Sequence, residues 1–154
     1  LGEMLYEAAF WRPGGVRRAW EQALCRADGA EWEDGWAQRG GDAGVIALGD
    51  GEAPVGAAWY RHWTDGNHSF GYVSETVPEL AIGVVEAFRG RGVGKALLTA
   101  LFLEAARNRM EQLRLSVVKE NPAAHLYRKF GFRELHAGGN DWTMIADVPR
   151  FPRP

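Results

Sequence analysis

Hydrophobic and polar positions along the chain change period several times, and each change marks an element. Leu5, Ala9, Ala19, Ala23 and the i,i+4 pair Trp32/Trp36 follow a helical spacing, which predicts two or three short amphipathic helices in the N-terminal third. Pro13-Gly14-Gly15 separates the first from the second, and 35–44 is loop-like. From there the period falls to two. Gly44–Leu48 and Pro54–Trp63 read as strands around a Gly49-Asp50-Gly51 turn, a hairpin. Thr64–Ser69 is a polar loop and Phe70–Val73 a short extension. Leu80, Ile82 and Val84 alternate as a third strand that leads into Arg89-Gly90-Arg91-Gly92-Val93-Gly94.

Beyond that loop the pattern turns helical. Val93, Leu97, Leu101 and Ala105 share a face, with Leu98 and Phe102 beside it. Leu113, Leu115 and Val117 alternate as a fourth strand. Asn121-Pro122 starts a second helix, since Asn caps free amides and Pro suits the first helical position. This helix carries Leu126, Tyr127 and Phe130 and stops at Gly131, a left-handed cap. Phe132–His136 and Trp142–Val148 close the chain as a hairpin turning over Ala137–Asp141. Helices followed by β-β-β-α-β-α-β-β imply an α+β fold, a mixed and mostly antiparallel sheet flanked by helices.

Composition narrows the function classes. At 154 residues the chain is one domain, 1–154, and its 46% hydrophobic and 25% charged residues exclude disorder. Its net charge of −2 argues against nucleic acid as a partner. The longest uncharged apolar stretch, around Ala96–Leu103, is far shorter than the ~20 residues that cross a bilayer, so no membrane is expected. No basic-then-apolar leader is visible, and a soluble, cytoplasmic protein is the expectation. Cys25 has no second cysteine for a disulfide, and His62, His68, His125 and His136 lack metal-ligand spacing. No metal is expected.

The strand–RGRGVG–helix junction carries the clearest chemistry. A helix N-terminus presents unpaired amides at the positive end of a dipole, which suits an anion. Gly90, Gly92 and Gly94 let the backbone approach it, while Arg89, Arg91 and Lys95 add positive charge. Two familiar phosphate loops do not fit. A P-loop needs Gly at 89 and Ser or Thr at 96, where Arg89 and Ala96 stand; the dinucleotide fingerprint needs Gly where Lys95 stands.

Arg89-x-x-Gly92-x-Gly94 instead resembles the [Gln/Arg]-x-x-Gly-x-[Gly/Ala] motif of the GNAT superfamily of N-acetyltransferases. The strand Glu79–Val85, the helix after the loop, the strand Leu113–Val118 and the run from Asn121-Pro122 to Gly131-Phe132 are similar to that superfamily in order and spacing. The resemblance covers roughly Val55–Val148. It implies a GNAT-like acyl-CoA N-acyltransferase fold and acetyl-CoA as co-substrate. Backbone amides from Gly90 through Val93 to Lys95 would hold the pyrophosphate. Backbone groups of Val84 and Val85 would pair with the pantetheine arm as with an added strand, and an amide of that strand would polarise the thioester carbonyl. Asn121 would touch the pantetheine or acetyl end, and Tyr127 would stand at the general-acid position facing the CoA sulfur. GNAT chains usually open with a strand, whereas Leu1 begins within a helix; either chain precedes it or the sheet lacks its first strand.

Proton chemistry refines these roles. A phenol of pKa about 10 facing a thiol of about 8.5 keeps its proton, so Tyr127 suits a hydrogen bond to the developing thiolate better than full transfer. A lysine-like amine, pKa ~10.4, is neutral only to a few parts in ten thousand at pH 7, so a base or water chain is needed. Glu79 is the candidate, with Glu75 behind it. Trp59, Tyr60, Trp63, Phe70 and Tyr72 crowd the second strand, where they either line an acceptor pocket, cage a cation or pack the core. The expected reaction is direct attack of a primary amine, on a small molecule or peptide, upon acetyl-CoA, since no nucleophile stands beside a base. A non-catalytic acyl-CoA sensor and a protein-interaction domain are the alternatives, and a homodimer is left open.

Overall fold

The computed structural model describes residues 4, 7–8, 40–69 and 71–150. The expected N-terminal helices, Cys25 and Phe70 lie outside these residues, apart from Met4, Glu7 and Ala8, which are helical. Six strands form one sheet: β1 Ala43–Leu48, β2 Pro54–Arg61, β3 Glu79–Val84, β4 Gln112–Val118, β5 Arg133–Gly138 and β6 Asp141–Asp147. Two helices follow β3 and β4: α1 Val93–Arg107 and α2 Ala123–Lys129. The spatial order is β1-β2-β3-β4-β6-β5, and every pairing is antiparallel except β3 with β4. This is the mixed α+β sheet the patterning predicts. Among the described residues, no strand precedes β1 and no helix is long and apolar enough to cross a membrane.

Alternation along the strands sorts side chains to two faces. The first face carries Ala58, Tyr60, Leu80, Leu113, Leu115, Val117 and Met144, which pack with Leu97, Leu98, Leu101, Phe102 and Ala105 of α1 and with Ala124 and Tyr127 of α2. The second face carries Ala57 and Trp59, which pack against Met4. Both faces of β2 are covered, so every residue from Val55 to Arg61 is buried, and this strand reads as an almost continuous apolar run. Trp59 and Tyr60 therefore point to opposite faces, as alternation requires. Both are 0–1% exposed and serve as core. Neither lines an open acceptor pocket.

Three boundaries differ from expectation, each for a local reason. β2 ends at Arg61 because the next amide, that of His62, donates to Asp42 Oδ1 at 2.9 Å and leaves the ladder. Gly71–Val73 form a turn and coil in place of a strand extension. The last hairpin turns over Gly139-Asn140 alone, since Gly138 pairs Asp141 and Gly139 adopts φ +50°, a conformation two-residue hairpin turns require. The expected caps hold. Ala123 N–H donates to Asn121 Oδ1 at 2.9 Å, Pro122 sits at φ −61°, and Gly131 at φ +86° ends α2 in the left-handed region.

Candidate active site

The parallel neighbours β3 and β4 pair at a single register position, Glu79 with Arg114. Beside it Arg114 N–H donates to the Pro78 carbonyl at 3.1 Å. Past this point the strands part, and among the described residues the rest of β3 has no strand partner on that side. Register tells which groups face the opening. Val85 N–H donates to the Val55 carbonyl at 3.0 Å, so Gly56 and Val84 form a non-hydrogen-bonded pair. The amides of Ile82 and Val84 accordingly point away from β2, into the gap. Val85 departs from expectation: its N–H serves β2 and its carbonyl accepts from Phe88 N–H at 2.8 Å. Of the two valines assigned to the pantetheine arm, only Val84 turns its amide to the open edge.

A 3-10 turn, Glu86–Phe88, leads from β3 to the glycine loop. Gly90 and Gly92 sit at φ +72° and +86°, the left-handed region that strains any side chain, and a Cβ on either would meet nothing within 4 Å. The loop surface is thus open where an anion would lie. Gly92 is the residue before α1, whose first internal bond runs from Ala96 N–H to the Gly92 carbonyl at 3.0 Å. The amides of Val93, Gly94 and Lys95 therefore lack helical acceptors. Gly94 faces α2: a Cβ there would lie 3.4 Å from Leu126 Cδ2, an ordinary contact.

Arg91 and Lys95 are exposed at the loop, with the Arg91 guanidinium 5.5 Å from the centre of the Phe88 ring. Arg89 is placed differently from the phosphate-binding role expected of it. Its Nε donates to the Val84 carbonyl at 2.9 Å and its Nη2 pairs with Glu7 Oε2 at 2.7 Å. It ties Glu7 to the end of β3.

Tyr127 lies on α2 with its ring edge-on to Phe132, centroids 5.9 Å apart, and only 7% of its surface exposed. Its hydroxyl has no hydrogen-bond partner among the described residues. Burial pushes its pKa well above that of a free phenol. The proton is therefore held more firmly than in free tyrosine, which favours hydrogen-bond donation over transfer.

Glu79 is the buried carboxylate of the site, 2% exposed, at the foot of the gap. The Ser69 hydroxyl donates to its Oε2, and Arg114 Nη2 lies 3.5 Å from the same oxygen. Burial pushes the Glu79 carboxyl above the ordinary carboxylate range, opposed by the Ser69 hydroxyl and then the Arg114 charge. Gly71 packs directly on it, since a Cβ there would lie 2.6 Å from Oε1. Glu75 stands apart and exposed; its Oε1 accepts from Asp65 N–H at 3.1 Å and so braces the surface loop. Arg114, Ser69 and Gly71 were not legible as site residues. Arg114 occupies an apparently ordinary polar slot in an alternating strand, and only the strand register brings it beside Glu79. No group of three or more His, Cys, Asp or Glu side chains able to hold a metal occurs among the described residues.

A family model described as an acetyltransferase (GNAT) domain matches residues 41–134, more than half of the chain. No curated protein matches it in sequence. Among solved structures, the PaiA N-acetyltransferase of Thermoplasma acidophilum, in complex with coenzyme A, is 17% identical with a TM-score of 0.67, covering 95% of this chain and 89% of its own. An acetyltransferase of the GNAT family from Staphylococcus aureus is 14% identical with a TM-score of 0.66, covering 96% and 90%. YncA, a putative acetyltransferase from Salmonella typhimurium with acetyl-CoA, is 18% identical with a TM-score of 0.64, covering 99% and 89%. At these identities the likeness is one of fold, and the family match supplies the rest: the chain belongs to the GNAT acetyltransferases and is an acyltransferase.

Proposed function

We propose that the protein transfers the acetyl group of acetyl-CoA to a primary amine by direct attack. The observation that carries this reading is the parting of β3 from β4 after a single pair, with the glycine loop at one end of the gap and Glu79 at the other. In this reading the loop amides from Gly90 to Lys95 hold the pyrophosphate, helped by the charges of Arg91 and Lys95. The Val84 amide and Asn121 receive the pantetheine arm, and an amide of β3 polarises the thioester oxygen. The amine nitrogen attacks the carbonyl carbon, the tetrahedral adduct collapses and the C–S bond breaks. The amine proton leaves through water to Glu79, whose raised pKa makes it a stronger base than a solvated carboxylate. Tyr127 donates a hydrogen bond to the sulfur as negative charge develops there.

The experiment pairs binding with turnover. Acetyl-CoA raises the melting temperature, by the equivalent of about 2.7 kcal/mol at ~100 times its Kd, and amines then release free thiol. Tyr127→Phe keeps the thermal shift and slows thiol release by about 10²–10⁴-fold, the usual worth of an acid–base group. A thermal shift with no thiol release from any amine would mark an acyl-CoA sensor. The parent rate in Tyr127→Phe would reduce that residue to packing.

A further inference from the structure

On the second face of the sheet, a row of buried charges crosses three strands. Register places Arg61 of β2 opposite Glu79 of β3, and Glu79 opposite Arg114 of β4. Arg61 and Arg114 are 0% exposed. Trp63 lies under the Arg61 guanidinium at 4.4 Å, and the Tyr72 ring covers that of Arg114 at 4.8 Å. Arg114 is the unusual member. Among the described residues none of its three guanidinium nitrogens makes a hydrogen bond, and the one ion pair it forms there, at 3.5 Å to Glu79, is too long to count as one. A buried guanidinium whose five donors find no acceptor among the described residues is costly, and its planar fork of donors matches the two oxygens of a carboxylate.

We propose that Arg114 anchors the carboxylate of the acceptor, and that the acceptors are α-amino acids or compounds with the same amine–carboxylate spacing. This rests on the acetyltransfer reading above. The charged atoms of Glu79 and Arg114 lie 3.5 Å apart, comparable to the span between the ammonium and carboxylate of an α-amino acid, which one carbon separates. Such a zwitterion interleaves with the internal pair, its carboxylate on Arg114 and its ammonium toward Glu79, the base. Ser116, the next residue of β4 on the same face, is exposed, so the approach to Arg114 runs along β4 beside the gap. Tyr72 must leave the guanidinium for the carboxylate to reach it. Its ring is only partly buried and is held from outside, by its hydroxyl on Asp65 and by stacking on His68 at 4.3 Å.

Calorimetry on the CoA-loaded protein tests this with the common α-amino acids, each beside its carboxamide. At least one amino acid is expected to bind ten or more times tighter than its amide. Arg114→Gln should erase that difference while acetyl-CoA still raises the melting temperature, and Arg114→Lys should keep part of it. Ser116→Phe, which obstructs the approach without touching the pair, should weaken the amino acid alone; it decides the matter should Arg114→Gln fail to fold. Equal binding of acid and amide, no binding by any amino acid, or an undiminished difference in Arg114→Gln would overturn the proposal. Amines acetylated without any preference for a carboxylate would overturn the anchor and leave acetyltransfer standing. An amino acid that binds but never releases thiol would do the reverse.

Discussion

Tyr127 and the Glu79–Arg114 pair are where single residues decide behaviour. Because burial raises the Tyr127 pKa, the folded chain keeps a proton that the unfolded chain loses near pH 10. The folded state then binds more protons, so stability falls as pH climbs through and beyond that value. Tyr60, also raised by burial, adds to the same slope. Melting temperatures taken from pH 8 to 11 should drop less steeply for Tyr127→Phe than for the parent, whatever the offset from lost packing. The ion pair gives a second expectation. Glu79→Gln leaves a buried guanidinium without its counter-charge and should cost about 3–5 kcal/mol in urea unfolding, whereas Glu79→Gln with Arg114→Met should recover most of it. Equal losses in the single and double variants would mean the two charges do not depend on each other. At this scale the sequence disclosed Tyr127 through its place in a resemblance, and Glu79 only through the need for a base near the start of its strand. It hid Arg114, because alternation assigns a side to each residue but says nothing of which strand lies alongside.

Among elements, the loop between β3 and α1 was the most legible part of the chain, since it sets three glycines in five residues, two of them at backbone angles that strain any other residue. Gly90 and Gly92 supply positive φ, while Gly94 lies where a Cβ would make only ordinary contact with Leu126. Gly92→Ala should therefore cost about 1–2 kcal/mol from left-handed strain alone and should also diminish the thermal shift with acetyl-CoA. Gly94→Ala, with only a 3.4 Å contact to Leu126, should keep most of that shift. Comparable loss in both variants would argue against a phosphate seat at Gly92. The α1 helix was readable because it buries one continuous face, through Leu97, Leu101 and Ala105. The turns were less so. The Ala137–Asp141 segment offers two adjacent glycines and an asparagine, and only the pairing of Gly138 with Asp141 selects the two-residue turn. Another glycine carried no sequence signal at all: a Cβ on Gly83 would lie 1.9 Å from the Met4 carbonyl oxygen, so it is the seat of Met4 on β3.

At the scale of the whole molecule, the sheet is two antiparallel three-stranded halves, β1-β2-β3 and β4-β6-β5, fastened edge to edge at one point. Fold class, strand count and helix placement could be read from the periodicity, because they depend on local pattern. The single fastening could not, because it depends on how two strands separated by α1 diverge in space. It has a mechanical consequence. Load passes between the halves through the helices and the Glu79–Arg114 pair, with little backbone ladder to share it, so each half can breathe on its own and the inner edge of β3 stays open to water. Amide hydrogen exchange should report this directly: Ile82 and Val84 should exchange far faster than their neighbours Ala81 and Gly83, whose amides serve β2, and acetyl-CoA should slow Val84 most. A bound co-substrate then acts as a splint, and the protein should be stiffest when it is ready to react.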